Sequence, residues 1–169
     1  LLTGRWFFME EVQFAATCNR LGKGSVADLR DGAKGLVKTA VDAWQTRSCA
    51  WQLRTLAQAC VATPDDDTAL RNEFIAAMQY NADDLYATYV AQANNPFGFI
   101  QSGTTAYGGG IGVLAPWQQD FFTAAVGYAL AMSPPVAAAQ LSKWQSFFAW
   151  TARSVVGRLS PTDGSGFPF

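Results

Sequence analysis

An all-α domain is what this chain predicts, and three observations carry that expectation. Apolar residues recur at helical spacing through five stretches, proline and aspartate stand where helices should start, and the stretch 41–60 carries no Lys or Glu on any face.

Taken in order, residues 5 to about 20 place Phe7, Phe8, Phe14, Ala15 and Cys18 at helical spacing, with Glu10 and Glu11 in the early turns: a first helix. A glycine-rich stretch, 21–35, reads as a long loop, a kind of segment more often functional than incidental. The second helix is expected to start near 35–39 and to end before Thr63-Pro64. The third is announced by Thr63-Pro64 and Asp65, Asp66 and Asp67, whose carboxylates suit the free N–H groups of a helix start. It runs to about residue 91, with Leu70, Phe74, Ala77, Met78, Asn81, Leu85 and Tyr89 on one stripe. Turn residues fill 94–115, a second long loop. Pro116 suits the first turn of a fourth helix, 117–132, whose one charge is Asp120. Trp117, Asp120, Phe121, Ala124 and Tyr128 share a stripe of it. A fifth helix follows Pro134-Pro135 and reaches about residue 158, with Lys143, Gln145, Arg153 and Arg158 turned to water. The helical domain is thus 1–159, and 160–169 is an irregular tail.

The second helix organises the rest. At about 100° per residue, Trp44, Arg47, Ser48, Trp51, Arg54, Thr55 and Gln58 fall on one stripe, opposite Cys49, Leu53, Leu56, Ala57 and Cys60. Without Lys or Glu it reads as an enclosed helix, its apolar stripe packed on a neighbour and its Trp and Arg stripe facing a polar cavity wall. The fourth helix, with a single charge, reads as enclosed too.

Composition narrows the function. The chain has 169 residues, half of them hydrophobic, with six Trp and twelve Phe, more rings than a plain bundle needs for its interior. A net charge of −1 provides no basic field for nucleic acid or anionic lipid. Without histidine there is no Ser-His-Asp or Cys-His catalysis and no His-based metal site, and neither metal nor cofactor is expected. Cys18, Cys49 and Cys60 form no CxxC pair and read as small core residues. The charge-free runs 85–119 and 121–142 are broken by Asn-Asn-Pro, glycines and Ser-Pro-Pro, so no membrane span is expected. A start at Leu-Leu-Thr-Gly reads as a processed chain or a piece of a longer one.

Outer-type and enclosed helices alternate, and similar joints precede the first, third and fifth, which suggests a repeated antiparallel helical hairpin. The runs Leu-Thr-Gly-Arg-Trp-Phe-Phe-Met-Glu-Glu, Ala-Trp-Gln-Leu-Arg-Thr-Leu-Ala-Gln-Ala and Pro-Trp-Gln-Gln-Asp-Phe-Phe resemble the hairpin repeats of six-hairpin glycosidase-like proteins, the (α/α) toroids. The resemblance covers about residues 1–159 and implies alternating outer and inner helices around a barrel, and activity on polysaccharides as a hydrolase or lyase. Two and a half hairpins do not close such a ring, so self-association or further hairpins of a longer chain are expected as partners.

Within that frame Asp120 is the first acid-base candidate, since burial disfavours a lone carboxylate's charged form. Glycoside hydrolysis usually takes two carboxylates. Asp42 at the start of the second helix and Asp28 or Asp31 in the first loop are the possible partners, while Glu10 and Glu11, on an outer helix, are weaker. The other reading pairs Asp120 with Arg47 or Arg54 inside the bundle. Tyr107, in the glycine-rich second loop, could serve as the base of an elimination. The Gly108-Gly109-Gly110 run beside it is not a phosphate loop, since no Gly-Lys-Ser/Thr follows. Trp44, Trp51 and Trp117 could stack on sugar rings, Arg47 and Arg54 could fork a sugar carboxylate or sulfate, and Gln45 and Gln118 could bond hydroxyls. The same residues also read as plain core, or as satisfying helix ends. Two functions follow: a carbohydrate-active protein with a Trp/Arg-lined groove, and a noncatalytic scaffold using that face as a protein interface.

Overall fold

The computed structural model describes residues 5–21, 46–92, 97–100 and 115–160, and all regular structure among them is helical. We label the helices α1 (Trp6–Leu21), α2 (Thr46–Ala62), α3 (Thr68–Leu85), α4 (Pro116–Ala131) and α5 (Ala138–Leu159). A single π-helical turn, Tyr86–Val90, continues α3. The expected starts of α2 before Thr46, the first long loop and most of the second lie outside the described residues.

Four helices close a ring of contacts: α2 packs on α3 and α4, and α5 packs on both of those, while α1 lies against α2. Direction follows from which residues meet. The N–H of Arg47 and the side chain of Gln58, near the two ends of α2, bond Gln118 and Tyr128, near the same two ends of α4. The two helices therefore run the same way. So do α3 and α5, since the N–H of Ala137 donates to Gln79 just before α5 begins and Tyr89 lies against Trp150 further along.

The interior is built from the positions that recur at helical spacing on these four helices. Phe74, Met78 and Leu85 of α3 meet Phe122 and Val126 of α4, Leu53 and Leu56 of α2, and Trp144 and Phe147 of α5, all essentially without solvent contact. Each such side chain contributes roughly 1.5–3 kcal/mol by leaving water. Trp144 is fully buried and keeps its indole N–H satisfied by donating 3.1 Å to the carbonyl of Met78. The stripe expected on α3 is the one that is buried, Leu70 only in part.

Ends and faces differ from expectation in ways that have local causes. The chain turns at 64–67, where the Asp67 N–H donates to the Pro64 carbonyl, so α3 begins at Thr68 and Asp67 caps it with no side-chain bond. Asp65 instead pairs with Arg71 at 3.1 Å. Pro134 and Pro135 delay the helix: the Val136 N–H donates 2.8 Å to the Pro134 carbonyl, Ala137 is extended, and α5 starts at Ala138. On α1 the aromatic stripe is not the core face: Phe7, Phe8 and Phe14 are exposed, while Gln13 and Ala16 are buried. Gln13 faces inward because its amide donates to the hydroxyl of Thr63, at the end of α2.

Candidate functional site

The Trp and Arg stripe of α2 and the Trp117 stripe of α4 lie side by side, and here the structure corrects the enclosed reading of α2 and α4. Trp51 is 54% and Trp117 53% exposed, so the stripe forms an outer face of the described residues. Two guanidinium groups are stacked into it. Arg54 sits between two rings, 5.2 Å from the centroid of Trp51 and 5.1 Å from that of Tyr128, and Arg47 lies 5.9 Å from Trp117. A guanidinium over an aromatic face gains about 0.5–1 kcal/mol at exposed sites, which biases the fork toward that orientation. Trp51 is fixed further by its edge-on contact with Phe121, 4.8 Å between centroids. Gln58 donates 2.9 Å to the hydroxyl of Tyr128.

The residues beneath this face position it. Gln118 and Gln119 are buried. The Gln118 carbonyl oxygen accepts the N–H of Arg47 at 3.1 Å, tying the first turn of α2 to α4, and it lies below the exposed face. Gln119 brackets Ile100, accepting its N–H at 3.0 Å and donating to its carbonyl at 2.9 Å, which anchors 97–100 over the start of α4. Ile100 reaches that place past Gly98, whose φ of +77° suits glycine. A Cβ on Gly98 would come within 2.2 Å of the Trp150 carbonyl oxygen.

Asp120 is neither alone nor paired with Arg47 or Arg54. Both of its oxygens accept from the guanidinium of Arg158 in the last turn of α5. Arg158, expected in water, has a side chain only 11% exposed, while Asp120 is 45% exposed. The Arg158 Nε also donates 2.9 Å to the Ser154 carbonyl, so each of its three nitrogens makes a hydrogen bond. Each Asp120 oxygen accepts one bond from Arg158 and keeps a further lone pair, and the half-exposed carboxylate is held in one orientation by that pair. Asp42, Tyr107, Trp44 and Gln45 lie outside the described residues, as do Asp28 and Asp31. Among the described residues no cluster of His, Cys, Asp or Glu could hold a metal ion, and no helix is long and apolar enough to cross a membrane.

Phe121, Tyr128 and Gln58 complete the face beside the expected residues. The sequence signal for them was present, since they share the stripes of Trp117 and Trp51, but stripe membership alone did not say that the two helices lie side by side. Arg158 carried no such signal. Two buried polar atoms in this helix pair, Gln52 Oε1 and Thr123 Oγ1, have no hydrogen-bond partner.

No protein-family model, curated protein or solved structure matches this chain.

Proposed function

We propose that this chain is a carbohydrate-active protein of the (α/α)-toroid type, binding a poly- or oligosaccharide along the α2–α4 face. The observation that carries the reading is the pairing of exposed indoles with stacked, forked guanidinium groups on one surface: Trp51 with Arg54, and Trp117 with Arg47. Apolar C–H faces of a pyranose suit the indoles, and the forks suit a sugar hydroxyl or carboxylate beside them. Like-directed α2 and α4 in front of like-directed α3 and α5 is also the order that neighbouring inner and outer helices of a toroid would have. Fold alone does not confer the activity. The face itself favours binding, because the one described carboxylate of the candidate set, Asp120, is taken up in a two-pronged pair with Arg158.

A noncatalytic scaffold is the second reading, favoured by the exposed rings of α1, which no part of a sugar site requires.

The test is a titration of the chain with neutral and uronate oligosaccharides, followed by Trp fluorescence, for wild type, Trp51→Ala and Trp117→Ala. A saturable response in wild type that both substitutions diminish supports the sugar face. The absence of any response, or one that neither substitution alters, overturns it.

A further inference from the structure

We infer that copies of this chain associate head to tail, the exposed face of α1 on one copy seating against the exposed face of α5 on the next. This goes beyond the sugar-face reading and stands independently of it. The two helices are at opposite edges of the helix array: α1 is held through α2, whereas α5 is held through α3 and α4, with the segment 97–100 along it at Trp150 and the base of Arg153. Each turns outward a stripe with charge between two apolar residues, although on α5 the i+3 position, Ala152, is half-buried. On α1 the positions i, i+3, i+4 and i+7 are Phe7, Glu10, Glu11 and Phe14, all exposed, the two rings at 61% and 67%. On α5 the positions i, i+4 and i+7 are Ala149, Arg153 and Val156, again all exposed.

Both stripes place charge between apolar residues, and the charges are opposite. A pair of carboxylates on α1 meets a guanidinium on α5, and because each pattern has its charge in the middle, the match holds whichever way the helices run. Among the described residues Arg158 is already committed to Asp120 and Lys143 to Asp83, which leaves Arg153 as the cation of that α5 face. Two copies of the α1 face would set Glu10 and Glu11 against their own kind, which disfavours a symmetric α1 to α1 contact. The contact is therefore heterologous, and because each copy keeps one face open it extends. One helix against one helix buries less than the ~800 Å² per partner of a standard interface, so weak, concentration-dependent association is expected.

The experiment is light scattering of the full chain over about a hundredfold range of concentration, with Phe14→Glu, Val156→Glu and their mixture. Both positions are exposed, and circular dichroism confirms that each variant keeps its helices. Wild type should grow in mass beyond a dimer with concentration. Each variant alone should remain a monomer, since every contact in a homogeneous sample lacks one face. The mixture should form a one-to-one pair that stops growing, because Phe14→Glu retains its α5 face and Val156→Glu its α1 face. Arg153→Glu should weaken wild-type growth, and adding Glu10→Arg and Glu11→Arg to the same chain should restore it. A wild type that stays monomeric throughout, variants that still self-associate, a mixture that does not pair, or a charge exchange that fails to restore growth would overturn the inference.

Discussion

Asp120 near the start of α4 and Arg158 in the last turn of α5 form a two-pronged ion pair that closes one corner of the helix ring. The acid is half in water and the base is largely out of it. Most of the consequence of losing the pair thus falls on Arg158, left with a guanidinium that has lost its carboxylate and keeps the Ser154 carbonyl.

Asp120→Asn should lower stability by about 1–2 kcal/mol, a part-buried charged hydrogen bond discounted for the solvent at the carboxylate. Sugar-induced fluorescence changes should persist, since the pair lies beside the stacked face without being one of its rings. Urea unfolding together with the titration separates the two effects. Unchanged stability with abolished sugar response would reverse this assignment and give Asp120 a direct part in the site.

Arg54→Lys keeps the charge but loses the planar group that fits between Trp51 and Tyr128. Affinity for a uronate oligosaccharide should fall about tenfold, equivalent to ~1.4 kcal/mol, with a smaller effect on a neutral one. Comparing the two dissociation constants by calorimetry checks it.

Gly98→Ala should be destabilising by about 2–4 kcal/mol, because both a positive φ and a carbonyl oxygen oppose the new methyl group. The Trp150 carbonyl is backbone and cannot swing aside. A thermal melt should show the loss. An unchanged midpoint would mean that 97–100 does not press on α5 as described.

Burial pushes the Cys60 thiol up from 9.0 to about 12, against a smaller opposing pull from Arg71. The folded chain therefore holds this proton where the unfolded chain releases it. The contribution is fully present below pH 9 and is lost as pH rises toward 12, with a slope of about 1.4 kcal/mol per pH unit between them. Tyr89 is shifted upward as well, chiefly by burial, and adds to the loss at the alkaline end. Urea midpoints measured from neutral to alkaline pH should decline, and less steeply for Cys60→Ala. Equal slopes for the two proteins would show that Cys60 does not titrate this way.

What the sequence determined by itself is the helical class, the approximate extents of α3, α4 and α5, and the sets of residues that share a stripe. Those follow from spacing along one chain: Phe74, Met78 and Leu85 lie on one side of α3 wherever α3 is placed. The Trp51 and Trp117 stripes were legible in the same way, as sets. Which stripe meets the core is not a property of one helix, because it depends on what packs beside it. Tertiary structure decided that Phe7, Phe8 and Phe14 of α1, Trp51 of α2 and Trp117 of α4 face outward while Gln13, Gln118 and Gln119 go in. Each of those amides finds a partner from elsewhere in the fold, Thr63, the Arg47 N–H and the Ile100 backbone, that compensates its loss of water. Asp120 found Arg158 for the same reason: the partner is 38 residues away and becomes a neighbour only when α5 folds back along α4.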